Sequence, residues 1–269
     1  MIELDTIVIG AGLFGSIIAK SLRKAGKSVL TFDASFAEAG SAPAAGLMRP
    51  TWFSGLGKAV YDPALQLIDN LYGLETIKFE TMGKLPVNVH WCAPSKILQA
   101  PDIRAKVKLR PSSRCVSTSE GDFFAKQIIV AAGVWTPLLI PGLEVGGLAG
   151  AAYLWPEQKI DKPFIKVWAP YKQMVAFNRG DGLWVGDGLA IMRSNWCARY
   201  NDATLARCAR AVGSTETPKR LFGIRPYVKG VSPCLLKEVT PGVWAATGGA
   251  KNGTVAAAWC AYKLSQQCD

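Results

Sequence analysis

Residues 7 to 33 constrain this chain more than any other stretch. The apolar run Ile7-Val8-Ile9 enters Gly10-Ala11-Gly12-Leu13-Phe14-Gly15, a helix-forming segment follows, and Ser28-Val29-Leu30-Thr31-Phe32 ends in Asp33. The pattern predicts a strand, a glycine turn, a helix and a second strand closed by an acid. Gly10 permits the tight turn, Gly12 lets a pyrophosphate approach the backbone, and Gly15 lets the helix pack closely on the strand. The first N–H groups of the helix, from Leu13 and Phe14 onward, and its dipole face the phosphates. Asp33 lies 18 residues beyond Gly15, with Ala34 beside it. An acid there accepts hydrogen bonds from the ribose hydroxyls of an adenine dinucleotide. A bare GxGxxG also occurs as a chance glycine turn; the flanking strands, the helix and the acid give this one its meaning.

A chain of 269 residues can hold two domains with real cores. Apolar residues make up 49% and charged ones 19%, an ordinary globular balance. The cysteines are Cys92, Cys115, Cys197, Cys208, Cys234, Cys260 and Cys268, with no CxxC pair. The cofactor strand also begins almost at Met1, with no charged-then-apolar leader, so the expectation is a reduced, cytoplasmic protein. No apolar run approaches membrane-spanning length. The net charge of +11 is spread without a basic run. It is open to an acidic partner, an anionic substrate or no specific role, and suits nucleic acid least.

Ile17, Ile18, Leu22 and Ala25 form the apolar stripe of the first helix, Lys20, Arg23 and Lys24 its polar face, and Gly26 its stop. A second helix is expected with Asp62 as N-cap and Pro63 at its first position, ending at Gly73. A third follows Asn201-Asp202, and a last one starts at Gly253-Thr254 with Val255, Trp259 and Tyr262 inward. Strands are expected at 106–109, 125–130, 174–178, 182–185 and 243–246.

Two more segments turn the dinucleotide into a flavin nucleotide. In Ala125–Pro137 a buried apolar strand ends in Ala131-Ala132-Gly133-Val134-Trp135, small residues that let the chain pass close under a cofactor. In Gly242–Thr254 a strand leads into Gly248-Gly249-Ala250-Lys251-Asn252-Gly253 and then a helix. That bend aims backbone N–H groups at an electron-rich edge, such as the N1–C2=O side of a reduced flavin.

At these residues the chain resembles the D-amino-acid oxidase-like family of FAD-dependent oxidoreductases, in its glycine oxidase and sarcosine oxidase branch. Ser41-Ala42-Pro43-Ala44-Ala45-Gly46-Leu47 is similar to the family's loop around pyrophosphate and flavin, and Leu221-Phe222-Gly223-Ile224-Arg225-Pro226 resembles its Gly-x-Arg-Pro segment. Five blocks in family order cover nearly the whole chain. The resemblance implies an α/β fold: a Rossmann-type FAD-binding domain (1–75, 102–146, 219–269) and a smaller, discontinuous, sheet-containing α+β substrate domain (76–101, 147–218). It implies non-covalent FAD, held by Gly10, Gly12, Leu13, Phe14, Gly15, Asp33 and Ala34. It adds Ala44, Ala45, Gly46, Ala131, Ala132, Gly133, Trp135 and Gly248 through Thr254 to that set.

In the resembling family the arginine matching Arg225 holds the substrate carboxylate; a guanidinium fork suits that task. The plain alternative is an arginine tying down a loop. Lys251 matches a lysine that sarcosine oxidase-like members place beside the flavin, where it binds a carboxylate or favours oxygen reduction; otherwise it is a solvated loop lysine. Arg49 is a third cation near the flavin loop, and Tyr227 a candidate pocket hydroxyl; both have bland alternatives as surface or wall residues. His90, the only histidine, reads as packed or surface rather than catalytic. For a cysteinyl flavin link Cys234 is the nearest candidate in sequence, but its spacing does not match the sarcosine oxidase pattern, and no cysteine stands out as a nucleophile.

The resemblance implies oxidation of a small amine or amino acid by hydride transfer to flavin N5, with O2 reoxidising the flavin to give H2O2. The chain is shorter than typical members, mainly in the substrate domain, and lacks the histidine common in the last glycine loop. Those departures keep two other readings open: a flavin monooxygenase or oxidase acting on a side chain of a peptide or protein, as in quinone-cofactor maturation, and a non-catalytic flavin-binding partner protein. An oligomer that completes the pocket also fits a shortened lid.

Overall fold

The structure is a computed structural model that describes residues 4–41, 43–49, 57–81, 84–169, 172–195 and 198–266. Ala42, Cys197 and Cys268 lie outside the described residues. Two sheets organise the chain. The first has eight strands: β1 (Leu4–Ile9), β2 (Val29–Asp33), β6 (Ile103–Arg104), β7 (Lys108–Arg110), β8 (Cys115–Thr118), β9 (Gly121–Val130), β16 (Leu235–Thr240) and β17 (Val243–Thr247). Its parallel centre runs β6-β2-β1-β9-β17, and β16 closes one edge antiparallel to β17. The N-terminal half of β9 turns away to pair with β8 in a β7-β8-β9 meander.

The predicted glycine unit is present, with β1 and β2 parallel and in register from Thr6 opposite Val29 to Ile9 opposite Phe32. The strand interiors are apolar on both faces because helices cover one side and the meander the other. Helix α1 (Leu13–Lys24) buries Ile17, Ile18 and Leu22 completely. It packs against α6 (Gly253–Ser265), which in turn packs on α2 (Lys58–Tyr72). The inward face of α6 differs from expectation. Ala256, Ala257, Ala258, Cys260, Ala261 and Leu264 are all fully buried, while Trp259 and Tyr262 are only half-buried. Small side chains let three helices approach closely, which two aromatics would prevent.

The second sheet has nine strands: β3 (Leu47–Met48), β4 (Glu75–Thr81), β5 (Lys84–Trp91), β10 (Gly146–Trp155), β11 (Phe164–Ala169), β12 (Lys172–Asn178), β13 (Leu183–Gly186), β14 (Ile191–Met192) and β15 (Lys219–Tyr227). Its core is aromatic, with Phe177 packed on Phe79, Trp91 and Trp184. Two short helices, α3 (Pro94–Ile97) and α4 (Thr136–Leu139), sit in connections, and α5 (Ala198–Val212) packs on β10 and β13.

Strand β15 pairs along its whole length with β10 in the second sheet. Two helix starts also differ. Helix α2 begins at Lys58, capped by Gly57, so Pro63 lies inside it. The missing amide there deprives only one carbonyl near the helix start. Helix α5 begins at Ala198 and encloses Asn201-Asp202.

Candidate active site

A cavity of about 1030 Å3 opens at the carboxyl ends of β1, β2, β9 and β17, with Ile9, Asp33, Ala131 and Thr247 on its wall. The strands on either side of β1 are reached by connections in opposite directions, so this is the switch point where open α/β sheets bind ligands. The second sheet forms the far wall through Leu148, Gln173, Val175, Trp184 and Arg225.

Two helix N-termini meet there. Gly12 caps α1 with no side-chain cap, and no acid lies in the first turn. Gly10, Gly12, Leu13 and Phe14 all line the cavity. The close turn depends on its glycines. A Cβ on Gly15 would stand 1.6 Å from the Gly10 carbonyl oxygen, and one on Gly10 would stand 2.4 Å from that of Ala131. The Leu13 amide donates to Ser41 Oγ at 2.9 Å, and the Ala11 amide to Asp33 Oδ2 at 2.6 Å. Ser41 opens the small-residue loop that the sequence places around the pyrophosphate, and its hydroxyl here meets the first amide of α1. The second N-terminus is that of α6, again without a side-chain cap or first-turn acid. Gly249, Ala250, Lys251, Asn252, Gly253 and Thr254 line the cavity. Ala250 is held at φ 45°, a left-handed conformation unusual for a residue with a Cβ.

Asp33 marks one end of the cavity. Around it Ala34, Phe36, Lys106, Val107, Trp135 and Leu138 form an apolar slot, with the Phe36 and Trp135 rings 5.0 Å apart. Midway, the small-residue loop is held by its carbonyls. Arg179 Nη1 donates to Ala44 O at 3.2 Å, Trp91 Nε1 to Ala45 O at 3.0 Å, and the Cys92 amide to Gly46 O at 3.1 Å. Gly46 sits at φ 74°, and a Cβ on it would meet the Cys92 carbonyl at 2.0 Å.

Arg225 stands at the opposite end. Strand β15 is hydrogen-bonded into the second sheet, with Arg225 opposite Leu148. It also bridges Ile224 to Ala39 and Tyr227 to Gly249. Room for the guanidinium comes from Gly150, where a Cβ would lie 2.7 Å from Arg225 Nη1. That Nη1 is buried without a partner, and the Arg225 side chain makes no hydrogen bond or ion pair among the described residues. Burial lowers its affinity for the proton, an effect the charge of Asp187 opposes. Lys251 Nζ donates one long bond, 3.4 Å, to Gly188 O. Burial, then the charges of Lys172 and Arg225, pull the Lys251 pKa below the usual lysine value, and Asp187 opposes them.

Asp187, unmarked in the sequence, is fully buried. Its Oδ2 accepts from Arg207 Nε at 2.9 Å and Nη2 at 2.5 Å, and its Oδ1 from the Leu189 amide at 2.9 Å. Arg207 also lies over the Trp168 ring at 4.5 Å, and Trp168 Nε1 donates to Asp187 O at 2.7 Å. The turn carrying Gly188 is thereby fastened to α5.

The sequence-derived residues do not all arrive. Ala44, Ala45, Gly46, Ala131, Ala132, Gly133 and Trp135 reach the cavity wall, as do Arg225 and Lys251. Gly15 and Gly248 shape the two turns from behind, Gly248 at φ 89°. Tyr227 faces elsewhere: its ring covers Gly146 and its hydroxyl lies 3.3 Å from Met192 Sδ. Arg49 follows β3, half-buried, and is absent from the wall. His90 pairs within the β4–β5 hairpin, its Nδ1 3.5 Å from Thr76 Oγ1. The five described cysteines are free and buried, and burial pushes the Cys92 thiol up to about 11, away from nucleophilic use. No group of histidines, cysteines and acids able to hold a metal occurs among the described residues. No described helix is long and apolar enough to cross a membrane.

No family model and no curated protein matches the sequence. Solved structures do match. Iminodiacetate oxidase from Chelativorans sp. BNC1 superposes with a TM-score of 0.71 at 16% identity, over 97% of this chain and 94% of that one. Glycine oxidase from Geobacillus kaustophilus gives 0.69 at 15% identity, over 99% and 94%. L-α-Glycerophosphate oxidase from Mycoplasma pneumoniae, solved with FAD bound, gives 0.71 at 13% identity, over 99% and 94%. At such identities the likeness is one of fold, and each match spans nearly the full length of both chains. The chain therefore has the fold of the D-amino-acid oxidase-like FAD-dependent oxidoreductases, the family its sequence blocks resemble.

Proposed function

We propose that this protein is an FAD-dependent oxidase of a small amine or amino acid. One observation carries the reading: a buried arginine without a partner stands in the same cavity as the dinucleotide-binding turn. The residues present suit FAD. The N-terminus of α1 behind Gly12, with Ser41 on its first amide, would take the pyrophosphate, Asp33 the ribose, the slot of Phe36, Val107 and Leu138 the adenine, and the α6 N-terminus the pyrimidine edge of the flavin. FAD, when bound, would supply the two-electron acceptor and pass the electrons to O2 as H2O2.

The chain's own part is binding and orientation. Arg225 would hold a substrate carboxylate through two N–H groups and so fix the Cα–H direction. The apolar wall of Leu148, Val175 and Trp184 would exclude water, and the positive charges of Arg225 and Lys251 would disfavour a further positive charge on a neighbouring amine. No side chain need act as a strong base toward a neutral amine, in keeping with a wall whose one acid, among the described residues, is Asp33.

The test is anaerobic mixing of the FAD-loaded protein with a panel of amino acids and N-methyl amino acids. Bleaching of the flavin absorption by at least one of them is expected, with H2O2 formed on admitting air. A flavin that no member of the panel reduces would refute the oxidase reading.

A further inference from the structure

Cys234 and Cys260 lie in the core that α6 shares with the first sheet, away from the cavity wall. Both are buried, and their Sγ atoms are 3.3 Å apart. They come from separate elements: Cys234 ends the connection from β15 to β16, and Cys260 stands in the middle of α6. Cys234 Sγ also lies 3.6 Å from Ala256 O, one turn before Cys260 on the same helix. Among the described residues the other cysteines have different neighbours. Cys92 and Cys208 approach backbone carbonyls, and Cys115 the Ser117 hydroxyl. No third histidine, cysteine or acid among the described residues joins the pair to make a metal site.

A disulfide holds its sulfurs about 2 Å apart, so closing this contact asks the two sulfurs to approach by about 1.3 Å. We propose that Cys234 and Cys260 are a peroxide-oxidisable pair, joined by a disulfide in the oxidised protein. The Cys234 sulfur attacks one oxygen of hydrogen peroxide, the O–O bond breaks, and water leaves behind a sulfenic acid. The Cys260 sulfur then attacks the Cys234 sulfur. The S–S bond forms, the S–O bond breaks, and the hydroxyl departs with the Cys260 proton as a second water. Two thiols are oxidised and one peroxide is reduced, which balances. The order follows from burial. Cys260 is fully buried, and burial, then the Cys234 thiol, raises its pKa, so it keeps its proton until it attacks. Cys234 follows the exposed residues Val231 and Ser232, so local opening of that connection brings the oxidant to it first. The connection also backs the bend ahead of α6: a Cβ on Gly248 would stand 3.1 Å from Val228 Cγ2 and 3.6 Å from the Leu235 nitrogen. The new bond would fasten that segment to α6. The oxidase reading supplies a peroxide, but the proposal does not rest on it.

The test adds hydrogen peroxide to the reduced full-length protein, then unfolds it, alkylates it and maps its thiols by mass spectrometry. The reduced chain presents seven alkylatable cysteines. After peroxide a linked peptide pair containing Cys234 and Cys260 is expected, and dithiothreitol should restore both thiols. Cys234→Ser and Cys260→Ser should each abolish the link, with Cys234→Ala and Cys260→Ala as second variants should a buried hydroxyl impair folding. The oxidised protein is expected to melt about 5 °C or more above the reduced one, a gain that every one of these variants loses. Seven alkylatable thiols after peroxide, a link between other cysteines in place of this one, or over-oxidation of Cys234 without a link would overturn the proposal. A link that leaves the melting temperature unchanged would overturn the fastening of α6. A pair that closes in protein whose flavin no amine reduces would uphold the thiol chemistry, while the oxidase reading fails by its own panel.

Discussion

Replacing Gly15 with alanine is the sharpest test of the cofactor turn. The new Cβ would sit 1.6 Å from the Gly10 carbonyl oxygen, whereas real Cβ contacts stay beyond 3.0 Å. Helix α1 and the turn must therefore separate by about 1.4 Å. The obstacle is backbone, so no side-chain rotation relieves it. A shift of that size stretches an ordinary amide–phosphate hydrogen bond past 4 Å or so, beyond bonding range. Losing two such bonds to a charged group costs about 3–6 kcal/mol, and the overpacking itself costs about 1–3 kcal/mol of stability. Quenching of FAD fluorescence on titration into cofactor-free protein should show Kd raised by about 10²-fold or more. Gly26→Ala is the control. Gly26 sits at φ 79° with nothing within 4 Å of a new Cβ, so that variant pays conformational strain alone and keeps its FAD affinity. FAD binding by Gly15→Ala within threefold or so of the parent would refute the close-approach account.

Arg225→Ala should raise KM strongly and lower kcat/KM by about 10²-fold or more, read from steady-state peroxide release with whichever substrate the panel identifies. Lys251 makes stability depend on pH. Its pKa is lowered from 10.5 in the folded chain, so between that lowered value and 10.5 the unfolded chain binds more protons and stability rises with pH. Lys251→Met should therefore melt higher than the parent at neutral pH and lose that advantage as pH approaches 10.5. Asp187→Ala leaves Arg207 without its carboxylate and the Gly188 turn unfastened; urea unfolding should show a loss of about 3 kcal/mol. Asp33→Ala should weaken FAD binding about tenfold, measured by the same fluorescence titration.

The glycine unit was legible because each residue type there answers a steric demand that reaches only a few residues along the chain. The same holds for the strand into Ala131 and the bend at Gly248. The second sheet was less legible. Strand β10 reads Gly146-Gly147-Leu148-Ala149-Gly150-Ala151, which looks like a loop. Its glycines leave space for partners far away in sequence: Tyr227 over Gly146, Ile224 over Gly147 and Arg225 over Gly150. Strand β15 hides for a related reason, since Pro226 reads as a strand breaker although the strand pairs along its whole length with β10. Asp187 and Arg207 carry no mark at all, being an acid and a base 20 residues apart that meet only when α5 packs on the sheet.

Strand β15 belongs to one sheet through β10 and touches the turns of the other through Ala39 and Gly249. The arginine it carries is thus a shared possession of both halves. Whatever stiffens the glycine turns also narrows the range of positions open to Arg225, and whatever grips Arg225 steadies those turns. On the proposed function, any effect of one ligand on the other's affinity would run through this strand and be equal in both directions.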